Sequence, residues 1–440
     1  VKLWWRSCFD TEISTFRHRF VAGPMRDGQV SEETTSDSAT PEPVAFRSLR
    51  VALVTETYPP EINGVATTVA HLVDGISRRG HVVELTRPRQ EGVDAPGVSE
   101  LSGAGDSRRP SLRLTPGMPI PRYPELKLGY PVRGRLQRDW LRARPDIVHV
   151  ATEGPLGWSA LRAARHLGIP VVSEFRTNFH AYSAHYGVGF LKRWVLGYLR
   201  HFHNQCHSTM VPTRGLAEEL EASGFKRLRV VARGVDADRF HPARRSAALR
   251  ASWGAGPSTL VVIAVGRIAP EKNLGLLASA FRKIRSVQPE ARLVVVGDGP
   301  ARPALERELP GAVFAGRRLS EDLATHYASA DLLLFPSLTE TFGNVTLEAM
   351  ASGLAVLAFD YGAAGKMVRA GVHGWPVPYG DPVAFERAAE ASAADLDRIR
   401  RLGSQGRHAA ESVAWSGVID EVLGIYLNAL AISGERVPST

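Results

Sequence analysis

From Leu49 onward, apolar and polar positions follow two rhythms that take turns. LRVALVT (49–55) is a short, β-branched apolar run, the mark of a buried strand. The polar loop ETYPPEING follows. VATTVAHLVDGISRRG (65–80) then places its apolar residues at helical spacing and stops at Gly80. HVVELT (81–86), DIVHVA (146–151), IPVVSEF (169–175) and STMVPT (208–213) read as further strands, and LGWSALRAARHLG (156–168) and RGLAEELEASG (214–224) as helices. The stretch 87–125, rich in Gly, Pro and Arg, is predicted to form long loops.

After the polar segment 236–257 the alternation restarts. LVVIAVG (260–266), ARLVVVG (291–297), AVFAG (312–316), DLLLFPS (331–337) and LAVLAF (354–359) are predicted strands. LGLLASAFRKIRSV (274–287), PARPALEREL (300–309) and NVTLEAMASG (344–353) are predicted helices, and WSGVIDEVLGIYLNAL (415–430) is an amphipathic helix beyond the second sheet. Alternation of this kind implies parallel sheets covered by helices, hence an α/β fold of two Rossmann-like units facing across a cleft. Residues 1–47 are predicted to lie outside it, as a disordered or mis-called tail. Positions 1–24 have no clean period, and Met25, near which the true start is expected, opens a polar stretch. The predicted boundaries are 48–240, 241–414 and 415–440.

Composition narrows the partners. Lys+Arg 54 against Asp+Glu 45 leaves +9, which favours anionic ligands. Two cysteines, Cys8 and Cys206, exclude a disulfide framework and a cysteine-built zinc site, and point to a reducing, cytoplasmic setting. No uninterrupted apolar run reaches the length of a membrane span. GVGFLKRWVLGYLRHFHNQCH (187–207) mixes aromatics with Lys192, Arg193 and Arg200. It reads either as a helix whose aromatics face their own core or as a basic surface on an anionic membrane. The Arg-rich loops at Arg108, Arg109, Arg113 and Arg122 favour the membrane contact or an anionic acceptor.

The candidate chemistry is a phosphate site. The nearest approach to a dinucleotide fingerprint is Gly297-Asp298-Gly299-Pro300, but Arg302 stands where the third glycine is required. No P-loop is present. Asp236-Ala237-Asp238 has the spacing of a metal-binding D-x-D, a triplet common by chance, and no metal is expected. VGRIAPEKN places Arg267 and Lys272 after a strand and before a helix, where two cations suit a diphosphate; the alternative is a solvated loop. PSLTETFGNVTLEAMASG adds Glu340, able to accept from sugar hydroxyls. Gly343 allows close approach of backbone amides, and Glu348 is able to hold a ribose diol. Taken singly, these glutamates read equally as a cap and a solvated helix residue.

TETYPPEINGVATTV, PDIVHVATEGPLG, RGVDADRFHP, VGRIAPEKNL, VVVGDGP and FPSLTETFGNVTLEAMASG occur in the order and spacing of one family. Through them the sequence resembles the retaining GT-B glycosyltransferases of family 4, which include nucleotide-sugar-dependent α-mannosyltransferases. The resemblance implies a nucleotide-diphosphate sugar, GDP-mannose or a UDP-hexose, held by the second domain, and a lipid-linked or glycan acceptor on the first. It implies that the last helix crosses back to the first domain. It assigns Arg267 and Lys272 to the diphosphate, Glu340 to the donor sugar, the amides of Phe342, Gly343, Asn344 and Val345 to sugar and phosphate, and Glu348 to the ribose. Backbone near Arg317 would border the base. Asn63-Gly64 stands where relatives have Gly-Gly and would bring amides to the phosphates, Asn tolerating a positive φ. In SEFRTNFHAYSAHYG, Arg176 replaces a histidine that commonly meets the sugar; being a permanent cation, it suits a phosphate or an anionic acceptor. His180 and His185 are nearby.

The resemblance further implies metal-independent front-face transfer with no cofactor, and no nucleic acid as partner. The competing readings are a UDP-glucose, galactose or N-acetylglucosamine transferase or an epimerase on the same fold, and a non-catalytic basic membrane-binding protein.

Overall fold

Two parallel sheets organise the chain. The computed structural model describes residues 47–61, 63–90, 94, 110–120, 123–176, 189–340 and 342–434. Residues 1–46 of the predicted tail, His180 and His185 lie outside them.

The first half runs β1 (Arg50–Val54), α1 (Gly64–Arg78), β2 (Val82–Pro88), β3 (Ser111–Thr115), β4 (Gly117–Ile120), β5 (Tyr123–Gly129), α2 (Arg133–Arg142), β6 (Ile147–Val150), α3 (Pro155–His166), β7 (Val171–Glu174), α4 (Gly189–His203), β8 (Ser208–Val211), α5 (Arg214–Ala222) and β9 (Leu228–Val230). The second half runs α6 (Ala247–Ser252), β10 (Val261–Val265), α7 (Leu274–Val287), β11 (Arg292–Val296), α8 (Arg302–Glu308), β12 (Val313–Gly316), α9 (Ser320–Ala328), β13 (Leu332–Phe335), α10 (Asn344–Ala351), β14 (Ala355–Phe359), α11 (Gly362–Met367), β15 (Gly374–Val377), α12 (Pro382–Ser392), α13 (Leu396–Glu411) and α14 (Trp415–Ile432).

The strand orders are β3-β2-β1-β6-β7-β8-β9 and β12-β11-β10-β13-β14-β15. Every recorded pairing within these two sheets is parallel. Val51–Val54 and Val262–Ile263 are fully buried, as central parallel strands require. In each sheet the order reverses beside the first strand, between β1 and β6 and between β10 and β13. Ligands of such sheets bind in the crevice outside the strand ends at that point, and the loops after β1, β10 and β13 are the ones the sequence singled out.

Residues 87–125 are not simply loops, as expected from composition. β3 extends the first sheet through five registered pairs with β2, and β4 with β5 forms an antiparallel ribbon. Glycine and proline hid a real alternation: Leu114 is buried, while Arg113 crosses the edge to Glu84 at 2.9 Å and to Asp139. Arg113 is therefore a sheet-edge ion pair and not a free cation for a membrane.

α14 lies against α1. Ile419 occupies the space that a Cβ on Gly75 would need, at 2.6 Å, and Arg79 pairs with Asp420 at 2.7 Å. Among the described residues α14 is the only helix long and apolar enough to cross a membrane, yet it buries Val418, Ile419, Val422, Ile425, Tyr426, Ala429 and Leu430 in the protein. In α4, Leu199 and Phe202 are buried and the Tyr198 hydroxyl donates to Glu153 O at 2.7 Å, whereas Trp194 is 70 % exposed. The core-facing reading holds for the last turns of that helix.

Candidate active site

The loop after β10 carries Arg267 and Lys272, and it is braced from below. The loop after β11 presses glycines against it: a Cβ on Gly297 would lie 1.9 Å from Gly266 O, and one on Gly299 2.3 Å from Ile268 O. Ile268 N donates to Asp298 O at 3.0 Å, and Ala301 N to Ile268 O at 3.1 Å. The glycines of VVVGDGP thus permit backbone contact between two loops. That explains their presence without a dinucleotide.

Lys272 ends a single turn of 3-10 helix, Pro270–Lys272. Its ammonium pairs with Glu340 Oε1, stands 3.5 Å from Ser337 Oγ, and lies 5.9 Å above the Phe335 ring. Ser337 Oγ also donates to Glu340 Oε1 at 2.7 Å, and the Tyr361 hydroxyl donates to Glu340 O. The structure therefore joins Lys272 to Glu340 across the two loops at the switch point. Both side chains keep some exposure, 23 % and 16 %. Arg267 stands further out, 43 % exposed, with Glu271 at 3.8 Å.

Beyond Glu340 the chain turns through Gly343 at φ 95° into α10. Among the described residues no side chain caps this helix start. Phe342 is buried beneath it, and Asn344 Nδ2 comes within 3.8 Å of where a Cβ on Gly64 would be. The starts of α10 and α1 thus face each other across the two halves. One turn into α10, Glu348 accepts from the buried Tyr327 hydroxyl of α9 at 2.9 Å. Burial raises the Glu348 carboxyl above its usual range, against that bond and the charge of Arg239. Arg317 is exposed just after β12.

The start of α1 is built differently. Asn63 has extended backbone, φ −154°, so its tolerance of positive φ is not used. Its Oδ1 accepts from Val65 N at 3.0 Å and Ala66 N at 2.8 Å, and its Nδ2 donates to Thr57 Oγ1 at 2.8 Å. The amides of Val65 and Ala66 are therefore taken up within the chain.

Arg176 follows β7 and is buried. It pairs with Glu174, whose other oxygen faces His149 Nε2 at 2.9 Å, and His149 Nδ1 lies 2.6 Å from the Tyr426 hydroxyl of α14. Burial pushes the Glu174 carboxyl up, but Arg176 and His149 outweigh it and hold it at about 2. Arg176 is thus the end of a buried chain of side chains anchored in the last helix. The single residues carried no signal of this, because the partners are far apart in sequence. Arg233, in the quoted RGVDADRFHP, was also passed over. Of the same motif, Asp236 Oδ1 accepts from Arg239 N at 3.0 Å, a turn-closing role for half of the D-x-D.

Residues 62–239 match the family described as Glycosyltransferase Family 4, and residues 259–395 match Glycosyl transferases group 1. A GDP-mannose-dependent alpha-mannosyltransferase of Mycobacterium tuberculosis is 34 % identical over 88 % of this chain and 98 % of its own length. The chain is a family 4 glycosyltransferase. An enzyme of the same printed name from Mycolicibacterium smegmatis is 35 % identical over 86 % of this chain and 97 % of its own. Among solved structures, a sucrose-phosphate synthase of Thermosynechococcus elongatus superposes with a TM-score of 0.70 at 19 % identity, covering 88 % of this chain and all of that one. That likeness establishes the GT-B fold of this glycosyltransferase, two Rossmann-like halves with the last helix returned to the first.

Proposed function

We propose that this glycosyltransferase moves mannose from GDP-mannose to a lipid-linked or glycan acceptor, with retention of configuration and without a metal. The observation that carries the reading is the joined Lys272–Glu340 pair beside the uncapped start of α10. It brings a cation from one loop and a carboxylate from another together beside a helix start, which is what a sugar diphosphate needs. The mannose and guanine parts rest on the two relatives named above.

In this reading residues 241–414 hold the donor and 48–240 the acceptor. Lys272 and Arg267 stabilise the leaving diphosphate. Glu340 holds the sugar, Glu348 the ribose, and Arg317 borders the base. The departing β-phosphate oxygen takes the acceptor hydroxyl proton as the new glycosidic bond forms on the same face. The protein contributes position and charge rather than a nucleophile. The enzyme works in the cytoplasm, with α4 toward an anionic membrane face; the exposed Trp194 and the excess of basic residues support that placement.

Thermal shift with GDP, UDP, GDP-mannose and UDP-hexoses, followed by transfer assays with and without EDTA, tests it. GDP-mannose is expected to shift the transition most and to be turned over in EDTA. Preference for a UDP-sugar would replace the donor, and a strict Mg²⁺ or Mn²⁺ requirement would overturn the metal-free mechanism.

A further inference from the structure

The segment joining the two sheets carries Arg233, which is only 9 % exposed. Its Nη1 donates to Thr68 Oγ1 of α1 at 3.3 Å, and its guanidinium carbon lies 6.0 Å from the centre of the Phe342 ring. Thr68 belongs to the first half, and Phe342 immediately precedes the open start of α10. Arg233 therefore sits where the two facing helix starts meet.

Among the described residues no carboxylate comes within ion-pair distance of Arg233. The acidic groups that act on it are already engaged: Glu174 with His149 and Arg176, and Glu340 with Lys272. Arg176 adds a like charge. Burial first, and then Arg176, push the Arg233 pKa down to about 9 against the pull of Glu174 and Glu340. A hydroxyl and an aromatic face satisfy only part of a guanidinium. A buried cation without a counter-ion is costly, and such cost persists where function uses it. The uncapped α10 start beside it is a second, independent vacancy for negative charge.

We propose that Arg233 is a binding residue for the diphosphate of the sugar donor and acquires its counter-ion only when that group lies between Thr68 and the start of α10. This rests on the donor reading above. Its planar fork matches two phosphate oxygens at once, which the point charge of Lys272 does not. Binding of the donor then ties the linker to both halves.

The test titrates full-length protein calorimetrically with GDP, UDP, guanosine and inorganic pyrophosphate, without acceptor, in wild type, R233M and R233K. R233M is expected to weaken GDP and pyrophosphate at least tenfold and to leave guanosine unchanged. Its ligand-free melting temperature should equal or exceed that of wild type, because an uncompensated charge has been removed. R233K should hold the wild-type melting temperature and recover only part of the affinity.

Unchanged GDP and pyrophosphate affinity in R233M would overturn the proposal. So would a lower ligand-free melting temperature with no loss of GDP binding, the signature of a purely structural residue. If GDP binding persisted while the KM for an anionic acceptor rose tenfold, the anion would belong to the acceptor, and the proposal would fall. Should R233M not fold, the charge is compensated after all and that argument is lost, and R233K alone reads binding. If wild type bound neither nucleoside diphosphate, the donor reading would fail separately, with pyrophosphate still deciding the role of Arg233.

Discussion

In the first half of this glycosyltransferase, the starts of α1 and α3 are closed by the chain itself. Asn63 Oδ1 takes the amides of Val65 and Ala66 at α1, and Glu56 Oε1 takes the amide of Leu156 at α3. In the second half, α10 starts from a left-handed glycine with no side-chain cap and has Lys272, Glu340 and Arg233 around it. Both kinds of helix start carry the same dipole and the same orphan amides. What differs is whether the sequence supplies its own acceptor. A capped start contributes to folding, while an uncapped start beside cations retains its affinity for an outside anion. On this contrast we propose that the diphosphate lies at the turn at Gly343 rather than against Asn63-Gly64.

The contrast can be broken most forcefully at Glu56. This carboxyl is buried, and burial raises its pKa to about 7 although the amides of Gly129, Leu156 and Gly157 pull it down. A carboxyl raised in the folded state lends stability that is complete below its unfolded value and lost as pH climbs through the folded value. A shift from 4.5 to about 7 corresponds to about 3 kcal/mol at roughly 1.4 kcal/mol per unit. Wild type is therefore expected to melt at lower temperature at pH 8 than at pH 5.5, and Glu56→Gln to show a smaller drop. Equal drops in calorimetric scans would mean that the α3 start does not depend on this carboxyl.

At the open start the expected losses are in catalysis. Lys272→Ala should reduce sugar transfer by more than about tenfold, or roughly 1.4 kcal/mol of transition-state stabilisation, with its melting temperature nearly unchanged. Near-normal turnover would remove Lys272 from the diphosphate. Gly343→Ala puts a Cβ on backbone at φ 95°, a strain of about 1–2 kcal/mol. That Cβ also stands 3.6 Å from Glu340 Cγ. GDP binding should weaken along with stability, and calorimetric titration reads both.

The smallest effect on ligand is expected at the closed start. Asn63→Ala removes two capping bonds and should cost about 1 kcal/mol of stability. GDP affinity should stay within about threefold, or roughly 0.65 kcal/mol. A larger loss in titration would return the first helix to the phosphate site and dissolve the distinction.

Much of this was written locally. Strand and helix rhythms are set by neighbouring residues, so LGLLASAFRKIRSV coincides with α7, Leu274–Val287, and the central strands of both sheets fell where the apolar runs predicted them, while the edge strands β3, β9 and β15 did not. The pairing of Lys272 with Glu340 was foreshadowed because both lie on loops that follow strands flanking one switch point. Composition misled where glycine and proline interrupt real alternation, as at β3, because an edge strand needs apolar residues on one face only.

Sequence alone determined the central β-α alternation of both halves, the parallel character of the sheets and the loops that carry charge, since periodicity and turn chemistry act over a few residues. Only the tertiary structure decided that α10 starts without a side-chain cap and that Arg233 has no carboxylate partner among the described residues. It alone brought Tyr426 to His149 across 277 positions and, through Glu174, to Arg176. Those facts depend on how α14 folds back on α1 and how the linker threads between the halves. Contacts between residues so far apart along the chain are set by packing, which no local pattern encodes.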